Sequence, residues 1–436
     1  MAQASDSRNL LRDIRFPPGG QLKRYLLLNV YGGPLSALFG GLNTIIAPYA
    51  VERLVPSGEK NTYLGLLLFF GLAVAMVTQP LAGSASDSFG SRFGRRRPFI
   101  LGSAMLDGVC IILFGLAFNF WFAFVAYGLL QVVSNFGQAA YQALVPDFAP
   151  AEQRGVASGA KQAMEVAGTV VGLTVAGLFT SINAVWGAYA IIIVLLLAGG
   201  LTVFRRLDDP PVTGLPFWSG IRRANFKTFF YDVRANPRFT RILVTRFLFF
   251  VGFGSVQRFL RNILADVFHL SSPGAWAAGI LILATVIGIA GALLAGSVVD
   301  RLGRRRVAQF ACVVAAIYLL PIGFFPNLYL IFVLGAVLGL AGGAFAAATW
   351  AFLADEMPQG ESARYYGIAN YATAGAGAVG AGVFGVTIDA LNAWKYIAGY
   401  RAVILISSAL LIIAMPVLPR ERRTNKEPPI RLDAEP

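Results

Sequence analysis

Histidine and cysteine are almost missing from this sequence. Among 436 residues there is one histidine, His269, and there are two cysteines, Cys110 and Cys312. That supply excludes a histidine–cysteine metal centre and a disulfide framework, each of which needs several such residues at set spacings. Both cysteines sit inside apolar runs, where a thiol serves as a small buried hydrophobe. His269 lies in a polar turn beside Ser271, Ser272 and Pro273. Charge is scarce too: 13% of residues carry it, against about 25% in an average soluble domain. Acids are the scarcer sign, 22 against 36 Lys and Arg. The sequence offers no nucleophile triad, metal-ligand cluster or phosphate-cradling glycine loop. Neither enzyme activity nor a cofactor is expected.

What fills the chain is apolar surface, 56% hydrophobic residues at a mean hydropathy of +0.65. A helical crossing takes about 20 apolar residues, and twelve such runs can be marked, the first at 25–50 and the last at 398–418. Unpaired backbone groups are not tolerated in lipid, so the runs must be helices. The expected fold is an all-α membrane protein, twelve transmembrane helices in two pseudo-symmetric six-helix bundles. These bundles are expected at 25–204 and 241–418, with a linker at 205–240 and tails at 1–24 and 419–436. The linker holds Asp208-Asp209-Pro210-Pro211 and Asn236-Pro237, which interrupt both helix and membrane partition. Within it Phe226, Phe229, Phe230 and Tyr231 interleave with Arg223, Lys227 and Arg234, as in an amphipathic surface helix.

The placement of the basic residues decides what the net charge of +14 means. Of the 36 Lys and Arg, 27 fall in the N-terminal tail, alternate loops and the C-terminal tail, the positive-inside pattern. Linker and both termini are therefore expected in the cytoplasm, and the charge reads as topology rather than nucleic-acid affinity. Residues 1–24 lack the short apolar core of a cleavable signal, so the first span should be retained. The chain is expected to cross the cytoplasmic membrane many times, as a monomer in the bilayer.

Two arginine-rich turns organise the chain. Gly83-Ser-Ala-Ser-Asp87-Ser-Phe-Gly-Ser-Arg92-Phe-Gly94-Arg95-Arg96-Arg97-Pro98 follows the second run, and Gly296-Ser-Val-Val-Asp300-Arg301-Leu-Gly303-Arg304-Arg305-Arg306 follows the eighth. Arg95 and Arg304 are 209 residues apart, Asp147 and Asp355 are 208 apart, and so constant an offset marks a duplicated unit. Gly83 and Gly296 would let neighbouring helices pack closely. Asp87 and Asp300 would cap a facing helix or pair with an arginine, contacts able to form in one conformation and break in another.

The paired Gly-x-x-x-Asp turns, the twelve runs and the central linker resemble the major facilitator superfamily. The wording Ser91-Arg92-Phe93-Gly94-Arg95-Arg96-Arg97-Pro98-Phe99-Ile100 resembles the plant sucrose–proton symporters and the wider glycoside, pentoside and hexuronide cation symporters. Where an arginine usually follows the acid, Ser88 stands here, although the second half keeps Arg301; Arg92 or Arg95 is then expected to complete the first gate. Ala143-Leu-Val-Pro-Asp147 followed by Arg154 resembles the end of the fourth span in those symporters. There the acid is implicated in proton coupling and the arginine in transport, so the resemblance implies those roles for Asp147 and Arg154. Asp355 and Arg364 occupy the equivalent place in the second half, and a cytoplasmic gate ion pair is the competing reading of both sets.

Polar residues inside the runs complete the candidates. Gln131, Asn135, Gln138 and Gln142 recur on one helical face. Amides are costly against lipid, so they are expected to line a wet path, with Tyr141 as a stacking surface, or else to bond neighbouring helices. Gln162 and Glu165 share a face in the fifth run; Glu165 is the leading proton carrier, with an ion pair to Arg258 or another cation as the alternative. Asp107 is a weaker proton candidate. Arg246, Gln257, Arg258 and Asn370 are further cavity candidates, as are Asn43 and Trp350. The expected function is proton-coupled symport of a small polar solute, sugar or glycoside, by alternating access. A drug–proton antiporter ranks lower, since Gly168-Thr-Val-Val-Gly172 has no proline, and an assembly or pigment-handling protein without a transport cycle is the rival of another class.

Overall fold

The computed structural model describes residues 19–150, 153–211, 214, 216–222, 236–325, 327–357 and 362–421. Among these, twelve helices are long and apolar enough to cross a membrane. They are α1 (Gly32–Leu54), α2 (Lys60–Ser88), α3 (Arg97–Gly115), α4 (Phe120–Phe148), α5 (Arg154–Ser181), α6 (Val185–Arg206), α7 (Pro237–Asp266), α8 (Pro273–Leu302), α9 (Arg304–Phe324), α10 (Leu328–Glu356), α11 (Ser362–Trp394) and α12 (Ala398–Val417). A short helix, Gly19–Leu28, precedes them. The described residues contain no strand, and the expected all-α fold of twelve spans is the observed one.

Helix starts follow local chemistry. Asn119, Asn236 and Asn327 cap α4, α7 and α10, each accepting from the N–H three residues on at 2.8, 3.1 and 3.2 Å. Prolines open α3, α7 and α8, where the missing N–H costs nothing. α1 is interrupted by a π-turn at Leu42–Ile46. Pro48 cannot donate to the carbonyl of Thr44, and a π-turn two residues earlier absorbs the break.

Within the first half α1 lies directly on α5. A side chain at Gly168 or Gly172 would collide with the backbone of Gly33 or Ala37, so glycine sets the helix separation. Between the halves, α2 packs along α11 and α5 along α8. Gly65 rests on the backbone of Ala381 and Gly385, and Gly177 on Ala278. These three contacts between the halves lie toward the end of the molecule away from the arginine turns.

The linker is seen in part. Phe217–Arg222 is helical, and Phe217 packs on Phe136 and Phe99, ring centroids 5.6 and 6.0 Å apart. The candidate amphipathic stretch from Arg223 to Arg234 lies outside the described residues.

Candidate functional site

At the arginine end of the first half, Gly94 holds φ at +87°. That left-handed turn folds the chain back so that Arg96, not Arg92 or Arg95, enters the bundle. Arg96 is 3% exposed. It bonds Asp147 at 2.8 Å, Asp87 at 2.6 Å and the Ser86 hydroxyl at 2.7 Å. The carboxylate of Asp87 thus pairs with Arg96, where Arg92 or Arg95 was expected. Arg95 adds a longer ion pair to Asp147 at 3.8 Å and donates to the carbonyl of Asp87, while Arg92 lies outside, over the ring of Phe93. Arg154 donates to the carbonyl of Pro146 and so braces the turn that presents Asp147.

The second half repeats this plan with different partners. Gly303 holds φ at +89°, and Arg304 forms the ion pair with Asp355. Beside it Arg238 bonds Glu356 at 2.8 Å. Arg301 is exposed. The side chains of Asp300 and Arg364 lie outside the described residues.

Each turn is also held by an acid that follows its half's last helix. Asp209 accepts from the backbone N–H of Arg96 at 2.7 Å and of Arg97 at 3.3 Å, and Glu421 accepts from the N–H of Arg305 at 2.8 Å. These carboxylates satisfy the free N–H groups at the starts of α3 and α9 and sit favourably in the helix dipole. A Cβ on Gly94 or Gly303 would run into them. Sequence reasoning took Asp209 as a linker breaker and passed over Glu421; the repeat was the available signal, since each is an acid a few residues beyond the sixth helix of its half.

Gly83 and Gly296 correct the expectation of close packing. A Cβ at either would meet nothing within 4 Å. The described side-chain bonds between the halves lie elsewhere, so in this conformation no helix seats on these glycines.

At the opposite end the halves are tied together. Lys60 bridges Glu52 at 3.3 Å and Asp266 at 2.6 Å, and Arg261 bonds Glu52 at 2.7 Å. Asn61 donates to Asp389 and accepts from Asn262, both at 2.8 Å, and Tyr400 donates to Asp266 at 2.5 Å. Lys60 and Arg261 are buried. None of these acids was singled out in the sequence, because each lies at a helix end beside a turn, where charge is ordinary.

The polar face of α4 splits in two. Gln131 and Asn135 are buried and bonded inside the first half, Gln131 to the Tyr127 hydroxyl at 2.9 Å and Asn135 to the carbonyl of Gln131 at 2.7 Å. Tyr127 in turn donates to Asn43 at 2.8 Å. Both amide bonds stay within α4, and the network reaches another helix through Tyr127 and Asn43 of α1, whereas Gln138 is half-buried and Gln142 exposed. Tyr141 is buried, with Lys161 over its ring at 5.2 Å. Glu165 takes Lys161, 3.9 Å away, and not Arg258 as its cation; the i, i+4 spacing on α5 puts the two within reach. Gln162 is exposed.

Asp107 is fully buried between α3 and α4, accepting from Ser134 at 2.7 Å, inside the bundle rather than between the halves. Arg246 is 1% exposed, bonded to Thr349 at 2.6 Å and Thr373 at 3.3 Å and stacked 4.2 Å over Trp350. Gln257 borders a small apolar pocket, about 40 Å³, closed by α8, α9 and α10. Arg258 is half-buried and has neither a hydrogen bond nor an ion pair among the described residues, and Asn370 is exposed.

Twelve spans, two halves joined at one end and a repeated arginine turn at the other are the architecture of a solute carrier. The chain belongs to the Major Facilitator Superfamily, which it matches over residues 32–327 and 282–434. It is 25% identical to the sucrose transport protein SUC4 of Arabidopsis thaliana over 189 residues, 39% of this chain and 36% of that one. It is 23% identical to the multidrug resistance protein MdtG of Escherichia fergusonii over 417 residues, 94% of this chain and 97% of that one. Among solved structures, the nucleoside transporter NupG superposes with a TM-score of 0.71 at 14% identity, covering 91% of this chain and 99% of that one. A D-xylose–proton symporter superposes with a TM-score of 0.67 at 17% identity, covering 90% and 96%. The protein is a multi-pass membrane transporter of this superfamily.

Proposed function

We propose that this carrier couples the movement of a sugar-like polar solute to protons, in symport, by alternating access between its halves. The arginine end faces the cytoplasm, since Lys and Arg concentrate there and in the tails. Residues 25–204 and 241–418 form the two moving bodies and 205–240 the cytoplasmic linker. The observation that carries the cycle is the difference between the ends. Ion pairs cross from half to half at the end away from the arginines, whereas the arginine turns pair within their own halves. This conformation is closed to the outside, and closure of the cytoplasmic side would seat helices on Gly83 and Gly296.

Glu165 is the coupling acid in this reading. It is half-buried on a membrane helix, and its cation Lys161 stands at the limit of an ion pair, so protonation would break little. Asp147 is locked by Arg96 and belongs to the gate. The likenesses to a sucrose transport protein and to a D-xylose–proton symporter support the solute class.

In proteoliposomes, an imposed proton gradient should drive uptake of at least one member of a sugar panel. Glu165→Gln should abolish accumulation while leaving sugar counterflow, and Asp147→Asn should slow both. Failure of every sugar to respond to the gradient defeats symport. The match to MdtG across nearly the whole chain favours a second reading, proton-driven drug export; efflux of a lipophilic dye that Glu165→Gln removes would establish it instead.

A further inference from the structure

We infer that the cleft between the short helix Gly19–Leu28 and the end of α6 binds one anionic phospholipid. Its phosphate lies among Lys23, Arg24 and Arg206, and its chains run along the leucines beside them. This goes beyond the transport reading and holds whichever solute the carrier moves. The cleft encloses about 400 Å³, and none of its lining residues belongs to the second half. It is therefore separate from any path between the halves. Sequence spacing builds its first wall. Lys23, Arg24, Leu27 and Leu28 fall at i, i+1, i+4 and i+5, one stripe of the helix, with the cations a turn nearer its N-terminus and the leucines a turn further on. The helix is pinned to the start of α5 by other residues: the Tyr25 hydroxyl donates to Gln153, and the amide of Asn29, just beyond the helix, donates to the carbonyl of Ala157 at 3.3 Å. Lys23 and Arg24 are left exposed, with neither an ion pair nor a hydrogen bond among the described residues.

α6 supplies the second wall in the same order. Val203 is buried on the membrane side, and Arg206 stands one turn on, exposed and unpaired among the described residues, where the span ends. Phe148 adds an aromatic face from the end of α4. Both walls thus pass from apolar to cationic in one direction, toward the arginine end. A phospholipid presents the complementary order, chains inward and phosphate outward. Asp208 also lines the cleft, so three cations against one carboxylate leave a net charge of +2, which selects an anion. A soluble phosphate would engage the cations and leave the leucines and Phe148 wet, whereas a lipid covers both. Each Lys or Arg held near an anionic headgroup contributes about fivefold in affinity, equivalent to about 1 kcal/mol.

The test is binding to the full-length carrier in detergent, counted by native mass spectrometry. The probes are phosphatidylglycerol, phosphatidylcholine with the same chains, and glycerol 3-phosphate as the chain-free source of the same phosphate. One phosphatidylglycerol should bind about 25-fold more tightly than phosphatidylcholine, from two net charges, and at least about tenfold more tightly than glycerol 3-phosphate, from the buried chains. Arg206→Gln should cut the preference for phosphatidylglycerol about fivefold, and Lys23→Gln combined with Arg24→Gln, which brings the net charge to zero, should erase it. Arg205→Gln should leave it unchanged, because Arg205 does not line the cleft and lies on the face of Leu197 and Leu201, which are exposed. Leu27→Gln should weaken the lipid and spare glycerol 3-phosphate. These side chains are at the surface apart from the cleft, so each variant should keep the parent's elution profile. Equal binding of the two lipids overturns the site, and so does an equal loss from Arg205→Gln and Arg206→Gln, which marks a general basic belt. Glycerol 3-phosphate that binds as tightly as the lipid makes the cleft a soluble phosphate site and overturns the lipid assignment.

Discussion

The ion pairs at the end away from the arginine turns give the sharpest test of how the halves move. Lys60 joins Asp266 of the other half at 2.6 Å and Glu52 of its own at 3.3 Å, and its side chain is only 7% exposed. Breaking a fully buried pair by removing one partner costs about 3–5 kcal/mol, while an exposed pair contributes about 0–1 kcal/mol. Asp266 and Glu52 are a quarter to a third exposed, so the Lys60–Asp266 link lies between these limits, about 1–2 kcal/mol. In the state open at this end the same groups are hydrated, and the difference biases the two-state equilibrium. Lys60→Met should therefore shift the population toward that state by about 5- to 30-fold, at about 1.4 kcal/mol per decade. Spin labels at Phe118 and Tyr329, both strongly exposed at this end and in different halves, would report the change as a longer distance in lipid nanodiscs, after Cys110 and Cys312 are replaced by alanine. Combined with Asp266→Asn, the cycle should show a coupling of about 1–2 kcal/mol, well above the few tenths expected of independent sites. Additive single effects, or a distance distribution unmoved by Lys60→Met, would refute the claim that this pair holds its end of the molecule shut.

At the arginine end, Arg96→Ala should lower stability by about 2–3 kcal/mol, since it strands Asp147 and Ser86, whereas Arg92→Ala should fall within about 0.5 kcal/mol of the parent; thermal unfolding in detergent measures both. Gly94→Ala and Gly303→Ala should each cost at least about 1–2 kcal/mol from the left-handed backbone alone, and Asp209→Ala should recover part of the first by removing the collision. Gly83→Val and Gly296→Val should leave stability nearly unchanged, because the space beside them is empty, yet reduce sugar uptake by more than tenfold if the closed cytoplasmic state needs that space; unchanged uptake would exclude closure against these glycines.

The fold was legible because lipid leaves the backbone so few choices. Long apolar runs bounded by charge translate directly into spans, and a repeat spaced by 208 to 209 residues translates into two like halves. The sites were legible only where the repeat carried them. The arginine turns announced themselves, but which arginine enters the bundle depended on the backbone at Gly94, and a sequence displays a glycine without displaying its φ. The amides of α4 form a true helical face, yet helical phase cannot say whether a face meets water or protein, and Gln131 and Asn135 are buried and bonded within α4 itself. Lys60, Glu52 and Asp266 give no signal in the sequence because the bonds that join the halves, Lys60 to Asp266 and Arg261 to Glu52, each span some two hundred residues.

Where each half keeps its charges suggests how motion is confined. At the arginine end the pairs are internal: Arg96 ties the α2–α3 turn to α4, Asp209 ties it to the segment after α6, and Arg304 and Glu421 do the same for α8, α9, α10 and the segment after α12. Those bonds need not change when the halves rock, and they keep each half's six helices in register while the interface opens. At the other end the pairs cross, so in the proposed cycle they must break for the opposite state to form, and their strength enters the conformational equilibrium directly. A substitution in the first group is then expected to act chiefly on stability and one in the second chiefly on state populations. Arg96→Ala and Lys60→Met separate the two: the first should lower the unfolding temperature with little change in the label distance, and the second should do the reverse.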